Sequence, residues 1–198
     1  MFTGLIATTA ALVSLEKKNR PVLTIRAALD RPLAVGDSVA VNGVCLTLIE
    51  KKKDLLRFNL AAPTLLLSNL GDLPIGSPLN IELPLTLNDL LGGHLVSGHI
   101  DGTARLRSVN KSDRNSRFFF TFRDREWRKF IVARGSVAVN GVSLTVAEVH
   151  ASWFAVEVIP QTLAATNFKG MRVGERVNVE LDLIGKYLFN FFQTKQLR

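Results

Sequence analysis

The chain repeats itself, and this constrains its fold more than any other feature. Ser38–Thr47 reads SVAVNGVCLT and Ser136–Thr145 reads SVAVNGVSLT, so two segments 98 residues apart differ only at Cys45 against Ser143. The same spacing pairs Thr64 with Thr162, Leu65 with Leu163, Asn69 with Asn167, Gly76 with Gly174, Asn80 with Asn178 and Glu82 with Glu180. Nearer the start the spacing is 94, setting Thr3-Gly4-Leu5-Ile6 against Ser97-Gly98-His99-Ile100, Thr9-Ala10 against Thr103-Ala104 and Leu12 against Leu106. A fold that suits one half must therefore suit the other, and each half must close a core of its own. The division expected is 1–94, 95–185 and a tail, 186–198.

Each copy reads as β. Asn42-Gly43 and Asn140-Gly141 stand between short apolar runs, a strong hairpin signal because both turn positions need positive φ. Further strands are expected at 9–15, 22–28, 55–60 and 79–85, then at 103–109, 116–122, 152–158 and 176–183. Many short, evenly spaced strands with Gly and Pro between them predict closed barrels. Short helical turns are expected at 64–69 and 162–167, and a helix over Asp124–Ile131 with Asp124 as its cap. In the tail, Tyr187, Leu188, Phe189, Phe191 and Phe192 mark the wide apolar face of a helix of about three turns, too short to stand alone.

With 47% apolar and 21% charged residues, the 198-residue chain can bury two small cores. Cys45 is its only cysteine, so no intrachain disulfide forms, and with only His94, His99 and His150 no thiolate-rich metal site is expected. No apolar run approaches the roughly 18 residues that span a bilayer. Met1-Phe2-Thr3-Gly4 lacks the pattern of a signal peptide, and the expected location is cytoplasmic. The formal charge is +8, of which residues 105–134 carry +7. Such a run is ordinarily a solvated face, and Lys51-Lys52-Lys53 reads as an exposed turn.

Side chains two apart on a strand share a face. Cys45 and Thr47 therefore project together, as do Ser143 and Thr145, while Val44, Leu46 and Leu48 turn to a core. Cys45 is thus either a ligand-facing thiol or a small buried residue. Gly92-Gly93-His94-Leu-Val-Ser-Gly98-His99-Ile-Asp-Gly102 straddles the junction as either a flexible linker or a loop against a ligand, with His99 as acid, base or donor. His94 and His99 lie five apart and would face opposite ways on extended backbone, which disfavours shared metal ligation. No catalytic triad, phosphate loop or dinucleotide fingerprint occurs.

Taken together, the MFTG start, VNGVCLT, GGHLVSGHIDG, NGVSLT, Ile159-Pro160-Gln161-Thr162-Leu163 and Val177-Asn178-Val179-Glu180 resemble the riboflavin synthase family of the α-chain type. The resemblance runs along essentially the whole chain. It implies an all-β fold: two homologous six-stranded Greek-key-like closed β-barrels in tandem plus a C-terminal α-helix. It also implies a dismutation of two molecules of 6,7-dimethyl-8-ribityllumazine, one giving a four-carbon unit to the other, with riboflavin and 5-amino-6-(D-ribitylamino)uracil as products. No metal and no organic cofactor is implied. The partners implied are a homotrimer held by the C-terminal helices and lumazine synthase, with no nucleic acid and no membrane.

Carried over by motif, one lumazine contacts Gly4, Leu5 and Ile6 with Ser143, Leu144, Thr145 and the run Glu157, Val158, Ile159, Pro160, Gln161 and Thr162. The other contacts Cys45, Leu46, Thr47, Asn59, Leu60, Ala61, Ala62, Pro63, Thr64, Gly98, His99 and Ile100. Ser38 joins the binding set, Phe2 and His94 line the junction, and Arg134 reaches a lumazine of another chain. His99, Cys45, Ser143 and Thr145 are the expected catalytic residues, for proton transfer and activation at C7. Ala7, Pro63, Ser68 and Gln161 depart from the family pattern, and Pro63 lacks a backbone donor. Two rivals are a non-catalytic lumazine- or flavin-binding protein on the same barrels and a nucleic-acid-binding barrel using 105–134. Retention of Cys45 and His99 speaks against the first. Strand alternation, which buries part of Phe118-Phe119-Phe120 and Phe122, speaks against the second.

Overall fold

The structure, a computed structural model, describes residues 1–17, 20–112 and 114–196. The first copy forms strands β1 (Thr8–Glu16), β2 (Val22–Arg26), β3 (Ser38–Val41), β4 (Val44–Lys52), β5 (Leu55–Asn59) and β6 (Pro78–Glu82), with helix α1 (Ala62–Leu67) between the last two. The second forms β7 (Gly102–Asn110), β8 (Ser116–Thr121), β9 (Ser136–Val139), β10 (Val142–Val149), β11 (Trp153–Val158) and β12 (Arg176–Leu181), with α2 (Pro160–Ala165). Around the first barrel the order is β1-β2-β5-β4-β3-β6, and the second repeats it as β7-β8-β11-β10-β9-β12. Both are closed and antiparallel, as expected.

Local sequence explains most of this. Asn42 and Gly43 take φ of 47° and 80°, and Asn140 and Gly141 take 46° and 78°, the twist that continues antiparallel strands through two residues. Each long strand carries one bulge, at Leu12/Ser14, Leu48/Glu50, Leu106/Ser108 and Val146/Glu148, which bends it around its barrel. Lys51 and Lys52 continue β4, so the expected lysine turn narrows to Lys53-Asp54, with Lys53 at φ 55°. Helices α1 and α2 begin two residues earlier than expected. Pro63 and Pro160 occupy their first turns, where a missing N–H leaves no intrahelical bond unmade. The expected helix at 124–131 is a 3₁₀ turn, Arg125–Lys129, and Asp124 does cap it, accepting from the Glu126 N–H at 2.9 Å.

The two cores differ. The first is mostly aliphatic around Leu23, Ile25, Leu48, Leu56 and Phe58. The second is aromatic, with Phe168 edge-on to Phe118 at 5.1 Å and Phe120 beside Phe154 at 5.5 Å. Phe118, Phe120 and Phe122 all point inward, which removes them from any surface role.

Where the barrels meet, the glycine and asparagine contacts recur with the barrels exchanged. Gly43 and Gly141 lie back to back, and a Cβ on either would sit 2.7 Å from the other's backbone nitrogen. Six buried asparagines cross the seam. Asn80 Nδ2 donates to the Asn140 carbonyl at 2.9 Å and Asn178 Nδ2 to that of Asn42 at 2.8 Å. The Asn69 N–H donates to Asn178 Oδ1 at 2.6 Å and the Asn167 N–H to Asn80 Oδ1 at 2.7 Å. Buried amides need such partners, and here they lock the barrels into one orientation.

Helix α3 (Leu183–Gln196) starts three residues before the expected tail, whose residues 197 and 198 lie outside the described residues. It rests on the second barrel, with Phe189 edge-on to Phe130 at 5.2 Å and Lys186 paired with Asp101 at 2.6 Å. Ile184, Tyr187, Leu188, Phe191 and Phe192 remain exposed along it. No helix among the described residues is long and apolar enough to cross a membrane.

Candidate active site

Cys45 and Ser143 occupy the same place in β4 and β10, and each is met by a loop from the opposite barrel. The Cys45 N–H donates to the Gly98 carbonyl at 2.9 Å, and the Ser143 N–H to that of Gly4 at 2.8 Å. Gly98 and Gly4 have φ of 83° and 78°, and a Cβ on either would lie 2.5 Å from Cys45 Cβ or Ser143 Cβ respectively, so only glycine fits. A buried carboxylate braces each loop. Glu82 accepts from Thr3 N–H, Thr3 O–H and Gly4 N–H at 2.6, 2.7 and 3.0 Å. Glu180 accepts from Ser97 N–H, Ser97 O–H and Gly98 N–H at 2.6, 2.7 and 2.9 Å. Burial raises the Glu82 pKa above the usual carboxylate value, opposed by these donors.

Beyond this shared frame the two places differ. Cys45 opens onto two adjoining hollows of about 190 and 710 Å³. Pro63, Thr64, Gly98, His99 and Ile100 border the smaller, and Leu46, Thr47, Asn59, Leu60, Ala61 and Ala62 the larger. Ser143 is covered instead by the segment joining the barrels. His94 Nδ1 lies 2.7 Å from Ser143 Oγ, and the His94 N–H donates to the Thr3 carbonyl at 3.1 Å. A Cβ on Gly93 would lie 3.0 Å from Ser143 Cβ and 2.0 Å from the Thr3 oxygen, so the segment passes only because it is glycine. Burial lowers the His94 pKa, with Asp182 pulling weakly the other way, and favours a neutral ring.

A lumazine binding domain family model matches residues 3–84 and again 97–182. The riboflavin synthase of Escherichia coli (strain K12) is 39% identical over 185 residues, covering 92% of this chain and 87% of that protein. That of Bacillus subtilis (strain 168) is 36% identical over 193 residues, covering 96% and 89%. The chain belongs to the riboflavin synthase family. Solved structures extend the fold likeness. LumP complexed with riboflavin superimposes with a TM-score of 0.84 at 22% identity, covering 91% of this chain and 99% of that one. LumP complexed with 6,7-dimethyl-8-(1'-D-ribityl) lumazine gives 0.81 at 21%, covering 91% and 98%.

Against the residues that the riboflavin synthase resemblance names, the structure gathers the entire Cys45–Thr47, Asn59–Thr64 and Gly98–Ile100 set around one opening. Leu46 and Leu60 border it but send their side chains into the first core, and Leu144 and Val158 turn into the second. These four can offer main-chain groups only. His99 is exposed at the opening, whereas His94 sits at Ser143, so the two histidines do diverge. Phe2 is fully buried, paired with Val96 across the junction and packed with Ala40, Ala138 and Cys45. Ser38 pairs with Thr47 at the start of its hairpin. Leu5 and Thr145 are exposed and Ile6 packs on the second core. Glu157 is engaged by Arg117 at 2.6 Å, and Ile159, Pro160, Gln161 and Thr162 lead into or form the first turn of α2. Arg134 stands at an exposed turn before β9 with φ 67°, away from the Cys45 hollows. Among the described residues no group of three or more His, Cys, Asp or Glu could hold a metal. Sequence reasoning does not reach the Glu82 and Glu180 braces as site residues, although their pairing in the repeat, alongside Thr3-Gly4 and Ser97-Gly98, is a signal that could have found them.

Proposed function

We propose that this protein converts two molecules of 6,7-dimethyl-8-ribityllumazine into riboflavin and 5-amino-6-(D-ribitylamino)uracil. Full-length likeness to riboflavin synthases with both lumazine-binding copies retained carries this reading. One lumazine transfers a four-carbon unit to the other, so the reaction needs two related sites with unequal roles, which a duplicated chain supplies. The lumazine 7-methyl group is acidic because its carbanion spreads into the ring. The protein's tasks are then positioning, which can be worth effective molarities of about 10⁵ M, and proton handling.

In this reading one lumazine occupies the hollows at Cys45, with the thiol and His99 nearest its reacting edge. The other lies on the Ser143 and Thr145 face, against Leu5, Ile6 and the start of α2. Two bound lumazines then face each other between subunits rather than within one, the arrangement that the family resemblance implies. The exposed apolar face of α3 suits a homotrimer that brings an open Cys45 site to a Ser143 site of its neighbour, with Arg134 reaching across. Lumazine synthase, which would hand over substrate, is a further partner of this proposal.

Absorbance at the riboflavin band, followed on purified protein and lumazine with no cofactor added, tests the proposal. One riboflavin should form for every two lumazines consumed. Lumazine binding without riboflavin formation would leave a ligand-binding protein only. Truncation before Leu183 should lower both the oligomeric state and turnover, and a truncated trimer on sedimentation would refute the role of α3.

A further inference from the structure

The second barrel carries a feature that neither half-site uses. On its outer face Arg176 of β12 is directly opposite Arg105 of β7, and Arg105 is directly opposite Thr121 of β8. Like charges paired across strands repel, so the arrangement costs stability unless something else answers it. The same register positions in the first barrel hold Pro78, Ala11 and Arg26, so the fold closes without this arginine pair.

Arg105, Arg176 and Arg123, with Thr103, Thr121 and the Phe122 backbone region, line a hollow of about 350 Å³ that contains no acidic side chain. Arg176 is held in place. Its Nε donates to Thr103 Oγ1 at 3.3 Å and one terminal nitrogen to the Ser68 carbonyl at 3.3 Å, and it pairs with Asp72. Arg105 gives one N–H to the Gly174 carbonyl at 2.8 Å. The Arg123 guanidinium has no hydrogen bond or ion pair among the described residues. Asp72 balances Arg176, which leaves the charges of Arg105 and Arg123 unanswered. Arg105 and Arg176 also border a wider groove of about 680 Å³, lined by Arg172 and by the acidic Asp72 and Glu175 as well, which gives room for an uncharged or mixed-charge remainder of a larger molecule.

We propose that the hollow between Arg105, Arg123 and Arg176 binds a phosphoryl dianion, as free phosphate or as the end of a phosphate monoester. Planar guanidinium forks match phosphate oxygens, and a fixed Arg176 loses little freedom on binding. Threonine hydroxyls flank the forks. Single-stranded nucleic acid is the weaker match, because stacking needs exposed rings and Phe122 is buried here. The hollow is built from β7, β8 and β12, not from the strands that carry Cys45 and Ser143.

Thermal unfolding in inorganic phosphate, and separately in glycerol 3-phosphate, each against chloride at equal ionic strength, tests this. A saturable rise in Tm is expected with at least one of them. The double variant Arg105→Gln, Arg123→Gln should weaken the apparent affinity at least tenfold, and Arg123→Gln alone, at an exposed residue, by an intermediate factor. Riboflavin formation, measured in parallel, should persist in both variants and shows that they are folded. Binding of glycerol 3-phosphate at least tenfold tighter than phosphate identifies a monoester ligand, and equal binding identifies free phosphate. No saturable shift beyond chloride, an undiminished shift in the double variant, or saturation by a single-stranded oligonucleotide alone would overturn the assignment.

Discussion

Cys45 and Ser143 stand at equivalent places on equivalent strands, yet one faces open hollows and the other lies beneath a histidine. The difference does not come from the barrels, whose strand order, turns and carboxylate braces repeat. It comes from the segment that leaves each barrel. After β6 the chain crosses Ser143 through Gly93 and His94 to begin the second copy. After β12 it forms α3, which packs at Phe130 and leaves Cys45 open. Duplication thus supplied two like frames, and the connections made them unlike.

The shared frame is the place to look for the largest effect. Gly98→Ala and Gly4→Ala each place a Cβ 2.5 Å from a neighbouring Cβ at a φ that disfavours side chains. Strain and overpacking together should cost about 2–5 kcal/mol in each case. Calorimetry should show two similar falls in Tm. A tolerated Gly4→Ala beside a damaging Gly98→Ala would break the equivalence of the frames.

Next come the histidines, which should separate cleanly. His99→Gln at the open site should lower kcat by about 10²-fold or more with Tm nearly unmoved, and the pH–rate profile should lose a limb. An unchanged profile would move proton transfer elsewhere, to Thr145 through water or to a substrate hydroxyl.

A smaller, stability-based contrast concerns the thiol and the hydroxyl. Ser143→Ala removes the partner of Nδ1 on the half-buried His94 and should cost about 1 kcal/mol. Cys45→Ser, at an open position, should leave Tm almost unchanged while lowering kcat. Equal losses of unfolding free energy in chemical denaturation would mean that Cys45 is as enclosed as Ser143.

The smallest effect is a pH slope. The folded pKa of His94 lies below its ordinary 6.5, so the unfolded chain binds the extra proton first. Its contribution to stability is complete above about pH 6.5 and is lost as pH falls through the folded value. His94→Gln should flatten the stability curve in that window, and an unchanged slope would remove His94 as its source.

Much of the architecture was legible because it rests on short-range chemistry. Asn-Gly needs positive φ, alternation sends Leu46 and Leu48 inward, and repetition copies both rules into the second half. The helices start two residues before the repeat-paired threonines Thr64 and Thr162, because Pro63 and Pro160 suit a first helical turn, a signal carried by the prolines and not by the repeat. The buried leucines and Val158 show the limit of carrying motifs residue by residue, since a contact run on a strand can offer only every second side chain.

The sequence by itself determined that there are two barrels, that Cys45 and Ser143 are counterparts, and that each shares a strand face with a threonine, Thr47 or Thr145. Local rules and the repeat are enough for all three. Only the tertiary structure decided that His94 rather than His99 reaches Ser143, that Gly4 and Gly98 cross to the opposite barrel, and that Arg105 and Arg176 lie side by side. Each of these joins residues distant in the chain through barrel closure and an asparagine-locked seam. Such contacts depend on how finished surfaces meet, and no period or spacing along the chain records that.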